Sequence, residues 1–91
     1  MFWVYILENP TGMFYIGQTD NLERRVKEHN TSVKGSGKFT HKNGPWKLVY
    51  HERFPNRPEA VVRERFIKSR RSAQWIRDYL LGRASPDGHR D

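Results

Sequence analysis

Phe2-Trp3-Val4-Tyr5-Ile6-Leu7-Glu8, then Asn9-Pro10-Thr11-Gly12, then Met13-Phe14-Tyr15-Ile16-Gly17-Gln18: this opening stretch decides the fold. The first segment is aromatic and β-branched, the composition of a strand. Side chains alternate between the faces of a strand, so Phe2, Val4 and Ile6 share one face and Trp3, Tyr5 and Leu7 the other. Both sets are apolar or aromatic, which predicts a strand covered on both sides and therefore central in its sheet. Asn9 to Gly12 reads as a turn, since Pro presets φ and Gly accepts positive φ. Met13 to Gln18 returns as a second strand, so the chain opens with a β-hairpin.

Further along, Thr19-Asp20-Asn21 starts a helix that runs to about Asn30, and Asp20 with Glu23 has the spacing of a capping box. Thr31 to Pro45 is a loop rich in Gly, Ser and Lys. Trp46 to Phe54 reads as a third strand. Asn56-Arg57-Pro58-Glu59 caps a second helix to about Arg70, with Pro in the first turn where no N–H is missed. Ser72 to Leu81 predicts a third helix with Trp75, Ile76, Tyr79 and Leu80 as its apolar face, stopped by Gly82. The order ββαβαα predicts an α+β domain over residues 1–82: a small three-stranded, mostly antiparallel sheet flanked by helices. Residues 83–91, polar with Pro and Gly, are expected to be a disordered tail.

The 91 residues make one domain, with 35% hydrophobic and 13% aromatic residues as apolar payload. Cysteine is absent, which excludes disulfides and thiolate zinc sites and fits a reducing, cytoplasmic location. No apolar run is long enough to span a bilayer, and the amino terminus lacks a signal-peptide pattern. Seventeen Lys and Arg against ten Asp and Glu give a net charge of +7. A field of that sign attracts polyanions, which points to nucleic acid over a membrane surface. Lys34, Lys38, His41 and Lys42 are candidates to track a phosphate backbone from the loop, with a solvated loop as the alternative. Lys68 on the second helix joins them.

Several residues break their own pattern, as functional residues do. Leu22, Val26 and His29 form one stripe of the first helix. Arg25 lies beside that stripe while Arg24 points nearly opposite. An Arg on the inner surface needs an anion, a structural carboxylate or a route to water. In the second helix Ala60, Glu64, Ile67 and Arg71 share a stripe. Glu64 there either pairs with Lys68 at i,i+4 or aims a carboxylate at the sheet where it holds a divalent cation. Tyr5 and Tyr15 are expected as near neighbours across the hairpin, with Gly17 leaving the surface beside them uncovered. Glu8, Glu23, Glu28, Glu52 and Glu59 read as caps or surface charge. His29, His41, His51 and His89 have no metal-ligand spacing.

Trp3-Val4-Tyr5-Ile6-Leu7 with Phe14-Tyr15-Ile16-Gly17-Gln18-Thr19 resembles the signature of the GIY-YIG nucleases. Asn21 to Asn30 resembles that family's first helix, and Phe54 to Ala60 the entry to the helix that carries Glu64. The likeness spans roughly Met1 to Arg71, and is strongest to small single-domain members and to the nuclease subunit of enzymes that cut branched DNA. It implies a divalent-metal-dependent endonuclease that hydrolyses phosphodiester bonds in DNA during repair or recombination, with RNA left open as a substrate. Carried over by position, it implies paired catalytic tyrosines Tyr5 and Tyr15, a catalytic Arg25, a site histidine His29, and Glu64 as ligand to one Mg²⁺ or Mn²⁺ ion, weakly bound without substrate. The chain departs from the signature where Trp3-Val4 stand for Gly-Ile. The extra DNA-recognition domain of larger members is not expected. Two rival readings are a non-catalytic nucleic-acid-binding module and a subunit that docks a protein partner through Trp75, Ile76, Tyr79 and Leu80; otherwise a monomer is expected.

Overall fold

The computed structural model describes residues 1–30, 43–70 and 72–82. Strand β1 (Phe2–Glu8) lies between β2 (Phe14–Thr19) and β3 (Lys47–Phe54) in a three-stranded sheet, antiparallel on both sides. Helix α1 (Leu22–His29) follows β2, and α2 (Arg57–Ser69) follows β3. The short α3 (Ala73–Trp75) runs into a π-helical turn over Ile76–Leu80. The expected α+β architecture is the one observed, and β1 is central: Val4, Tyr5, Ile6 and Leu7 are all buried.

Alternation along β1 sorts these four side chains into two cores. Val4 and Ile6 pack with Ala60 and Ile67 of α2 and with Ile76. Tyr5 and Leu7 pack on the opposite face with Trp46, and Leu22 and Val26 of α1 lie over them. Burial of Ala60 and Ile67 places Glu64, between them on the same stripe, at the inner surface of α2. Arg71 and residues 83–91 lie outside the described residues.

Local chemistry sets each boundary. In the β1–β2 turn the Asn9 carboxamide oxygen accepts from the Met13 N–H at 2.8 Å and from the Thr11 N–H at 3.1 Å, and Gly12 takes φ +88°. The cap of α1 differs from the capping box expected of Asp20 and Glu23. Asn21 is the cap, its side chain accepting from the Arg24 N–H at 3.0 Å. Asp20 is instead drawn to the Arg24 guanidinium at 3.2 Å, and the Thr19 hydroxyl accepts from the Asn21 N–H at 3.1 Å. The cap of α2 is the expected one, with Asn56 accepting from the Glu59 N–H at 3.0 Å.

At the end of α1 the Asn30 carboxamide pairs reciprocally with the Trp46 backbone. Its oxygen accepts from the Trp46 N–H at 2.6 Å, and its nitrogen donates to the Trp46 carbonyl at 2.8 Å. This clamp joins α1 to the entry of β3. The last helix departs from the regular one expected. Ser72 caps it, but the Leu81 N–H bonds the Ile76 carbonyl, five residues back, at 3.0 Å. That wider turn rotates the following side chains off the α-helical phase. Ile76, Trp75 and Leu80 pack inward, while Tyr79 is left 62% exposed.

Candidate active site

Tyr5 is 1% exposed, and its phenol lies across β2 at Gly17, its register partner. A Cβ at position 17 would stand 2.6 Å from the Tyr5 hydroxyl oxygen and 2.8 Å from Cζ. Gly17 is therefore needed for close approach, and the open surface expected beside it is filled by the Tyr5 ring. The hydroxyl lies 2.9 Å from Nε2 of His29, which is also 1% exposed. Arg25 Nε donates a long hydrogen bond, 3.4 Å, to the same hydroxyl. The Tyr15 ring stacks near Tyr5 (centroids 6.4 Å apart, planes at 23°) and tilts against His29 at 4.7 Å.

Arg25 can only donate, so the Tyr5 oxygen accepts from it. The direction of the Tyr5–His29 bond follows the His29 tautomer: with Nε2 unprotonated the phenol donates to it, and with Nε2 protonated the phenol accepts. Burial, followed by the positive charge of Arg25, pushes the His29 pKa down to about 4, so the ring is neutral at pH 7. Burial also pushes the Tyr5 phenol up to about 12; the Arg25 hydrogen bond opposes that rise, and Tyr15 and Glu64 add to it. The Arg25 pKa is raised above its ordinary value, chiefly by its bond to Tyr5.

The helix phase separates the two arginines as expected. Arg24 is 56% exposed and pairs with Asp20 and, at 3.5 Å, with Glu28. Arg25 is 31% exposed and turns toward Tyr5, with Glu28 at 3.0 Å from its Nη1. Glu28 is thus a clamp on the site's arginine and more than surface charge. Glu52 also differs from the expected surface acid: Arg63 holds it at 2.9 and 3.0 Å and the Tyr50 hydroxyl bonds it. Burial alone would raise its pKa, but the bonds from Arg63 and Tyr50 hold it below the ordinary value. The Arg25–Glu28 pair has ordinary i,i+3 helix spacing that was legible and passed over, whereas Glu52 is held by Arg63 from another element, which spacing does not show.

Glu64 forms the i,i+4 pair with Lys68, at 2.8 Å, and its side chain is 17% exposed. Tyr5, Tyr15, Arg25 and His29 are gathered around one hydroxyl, and Glu64 is near enough to act on its charge. Lys68 stands beside Glu64, whereas Lys34, Lys38, His41 and Lys42 lie outside the described residues. Among the described residues no group of three or more His, Asp or Glu could cage a metal ion. One carboxylate completed by waters and phosphate oxygens is instead a donor set that suits Mg²⁺. The residues present fit that mode, with the Lys68 ammonium as the group a cation would replace.

A family model described as the GIY-YIG catalytic domain matches residues 1–78. The chain belongs to the GIY-YIG family. Membership makes it a nuclease-type domain. This GIY-YIG chain is 47% identical over 68 residues to a UPF0213 protein of Clostridium perfringens, covering 75% of this chain and 71% of that protein. It is 44% identical over 66 residues to a UPF0213 protein of Desulfotalea psychrophila, covering 72% of this chain and 59% of that protein. The solution NMR structure of the UPF0213 protein BH0048 from Bacillus halodurans superposes with a TM-score of 0.52 at 28% identity, covering 97% of this chain and 92% of that one. No helix among the described residues is long and apolar enough to cross a membrane.

Proposed function

We propose that this GIY-YIG chain is a divalent-metal-dependent endonuclease that hydrolyses phosphodiester bonds in DNA, with branched or nicked DNA of repair and recombination as its substrates. The observation that carries the reading is the buried Arg25–Tyr5–His29 chain of hydrogen bonds. A phenol held between an arginine donor and a neutral histidine beside a second tyrosine is a perturbed titratable cluster of the kind that functional sites collect. The charge of +7 supplies attraction for the polyanion.

Glu64 would hold one Mg²⁺ or Mn²⁺ together with a phosphate oxygen of the substrate. That ion would neutralise phosphate charge and lower the pKa of bound water. The protein residues act as follows. Arg25 presents its guanidinium to the phosphate, where its fork matches the oxygens as negative charge builds. A water oxygen attacks phosphorus, and its proton passes to the Tyr5 oxygen as the Tyr5 proton moves to His29 in the tautomer with Nε2 unprotonated; the low pKa of the imidazole makes it a transient holder that gives the proton up to solvent. With a pKa near 12 the phenol is not a standing base at neutral pH. It relays a proton and ends the step neutral. The P–O bond to the leaving sugar oxygen breaks, and that oxygen takes a proton from solvent. Tyr15 keeps the His29 ring in line and borders the water's approach.

The test is cleavage of labelled duplex, flap and four-way-junction DNA in Mg²⁺, Mn²⁺ or EDTA, with Glu64→Ala purified in parallel. Metal-dependent cutting that vanishes in Glu64→Ala is expected. DNA bound but never cut, with either metal, would overturn the reading in favour of a binding module.

A further inference from the structure

Among the described residues, the apolar core on the face of the sheet that carries Tyr5 extends over only part of its length. Tyr5 and Leu7 are sealed by Trp46, Leu22 and Val26. Trp3 comes two residues before Tyr5 on the same face, yet it belongs to neither apolar core. It is partly exposed, and its neighbours on β3, His51 and Arg53, are exposed. His51 is the register partner of Tyr5, and Arg53 that of Trp3. The imidazole meets the indole edge-on at 5.4 Å and 73°, and the Arg53 guanidinium lies 5.9 Å from the indole centroid. Here Trp stands where the signature resembled by this sequence has Gly. Trp3 is thus a partly exposed indole outside both apolar clusters, beside a cation and two residues from the buried Tyr5.

We infer that Trp3, with Arg53 and His51, forms a nucleotide subsite that stacks an unpaired base next to the phosphate attacked at Tyr5. The inference rests on the nuclease reading above and adds to it a source of substrate preference. Two residues along a strand span roughly 6.6 Å, close to the step from one phosphate to the next in an extended single strand, so the base beside the attacked phosphate reaches the indole. Every base offers a π-face, so the subsite selects for an unpaired nucleotide and not for sequence. Arg53, exposed and in cation–π contact with Trp3 among the described residues, is able to turn to the flanking phosphate. His51 braces the indole edge and fixes the plane of the platform. Paired bases within a continuous duplex do not present a free face, so intact duplex gains nothing from Trp3.

The experiment measures affinity of the full chain for a fluorescein-labelled flap DNA and for continuous duplex, in EDTA so that neither is cut. Trp3→Ala is expected to lose roughly tenfold in flap affinity, within the range of one base-stacking contact, with duplex affinity unchanged. Trp3→Phe should keep most of it, which guards against loss through misfolding, as does an unchanged melting temperature. Moving one abasic residue through the unpaired strand should find a position where wild type suffers the same loss and Trp3→Ala suffers none further. Arg53→Ala should reduce the salt slope by about one, whether or not the base is present. Equal losses by Trp3→Ala on flap and duplex, or an abasic penalty that adds in full to the mutation, overturn the subsite while leaving the nuclease reading standing. A wild-type protein that neither binds nor cuts DNA overturns both.

Discussion

On one face of β1, Val4 and Ile6 form an apolar cluster with Ala60, Ile67 and Ile76. On the other, Tyr5 and Leu7 meet Trp46, and His29 is buried against the Tyr5 hydroxyl. The same strand, by alternation alone, feeds both. The first face gains stability in proportion to apolar area removed from water. The second face spends part of that gain to bury an imidazole and a phenol, groups tolerated there because each satisfies the other. Its helix α1 has only eight residues, with a single buried one, His29. Apart from Glu64, which α2 carries between Ala60 and Ile67, the candidate site residues lie on the second side of the strand, and substitutions on the two sides should fail in different ways.

The sharpest test of that split crosses Arg25→Ala with Ile67→Ala. Loss of Arg25 removes a charge-stabilising donor and should lower kcat about 10³-fold, or ~4 kcal/mol, with a small effect on melting temperature. Ile67→Ala should cost about 3 kcal/mol of stability through lost transfer energy and a cavity, with kcat of the folded fraction unchanged. Arg24→Ala, which removes only exposed ion pairs, should keep activity within about threefold. If Arg25→Ala melts as badly as Ile67→Ala, the two faces are not functionally separate.

The next test uses pH. His29 has an ordinary pKa of 6.5 in the unfolded chain and about 4 in the fold. Between those values the unfolded state binds more protons, so folding stability should fall as pH drops from 6.5 toward 4 and be fully present above 6.5. The span corresponds to about 3 kcal/mol. Chemical denaturation at pH 7 and pH 4.5 should show this loss in wild type, and His29→Gln should show clearly less of it. An unchanged pH dependence in His29→Gln would mean that the imidazole is hydrated or ion-paired in the fold.

How much of this was legible in the sequence depends on range. The central place of β1 followed from its two apolar sets, and the inward turn of Arg25 from its position three residues after Leu22. Those signals are local, set by periods of two and 3.6. The failures are long-range or compete locally. Gly17 reads as a gap until the register puts the Tyr5 ring over it. Glu52 reads as surface until α2 brings Arg63 to it. Asp20 and Asn21 both have capping side chains, and spacing alone did not separate them; Asn21 caps the helix while Asp20 pairs with Arg24. The π-turn at Ile76 was hidden because its bond from Leu81 leaves no mark in composition. Family membership was legible mainly through the signature tyrosines with Arg25 and Glu64, residues whose joint presence no packing rule requires.

Lys68 offers the smallest effect and the finest discrimination. The sequence allowed two roles for it, partner of Glu64 or contact to a DNA phosphate, and the ion pair at 2.8 Å shows the first without removing the second. An i,i+4 helix pair contributes about 0.3–0.5 kcal/mol, and the Lys68 end of this one is exposed, so Lys68→Met should lower stability by about that much. If Glu64 holds the cation, the ammonium competes with it, and removing the competitor should shift the Mn²⁺ midpoint for cleavage to about twofold lower concentration, the equivalent of the same few tenths of a kcal/mol. If Lys68 instead serves the phosphate backbone, the Mn²⁺ midpoint will stay where it is and the salt slope of DNA binding will drop by about one. A midpoint that moves to higher Mn²⁺ would contradict both roles, because it would make the lysine an aid to metal binding at a carboxylate it neutralises.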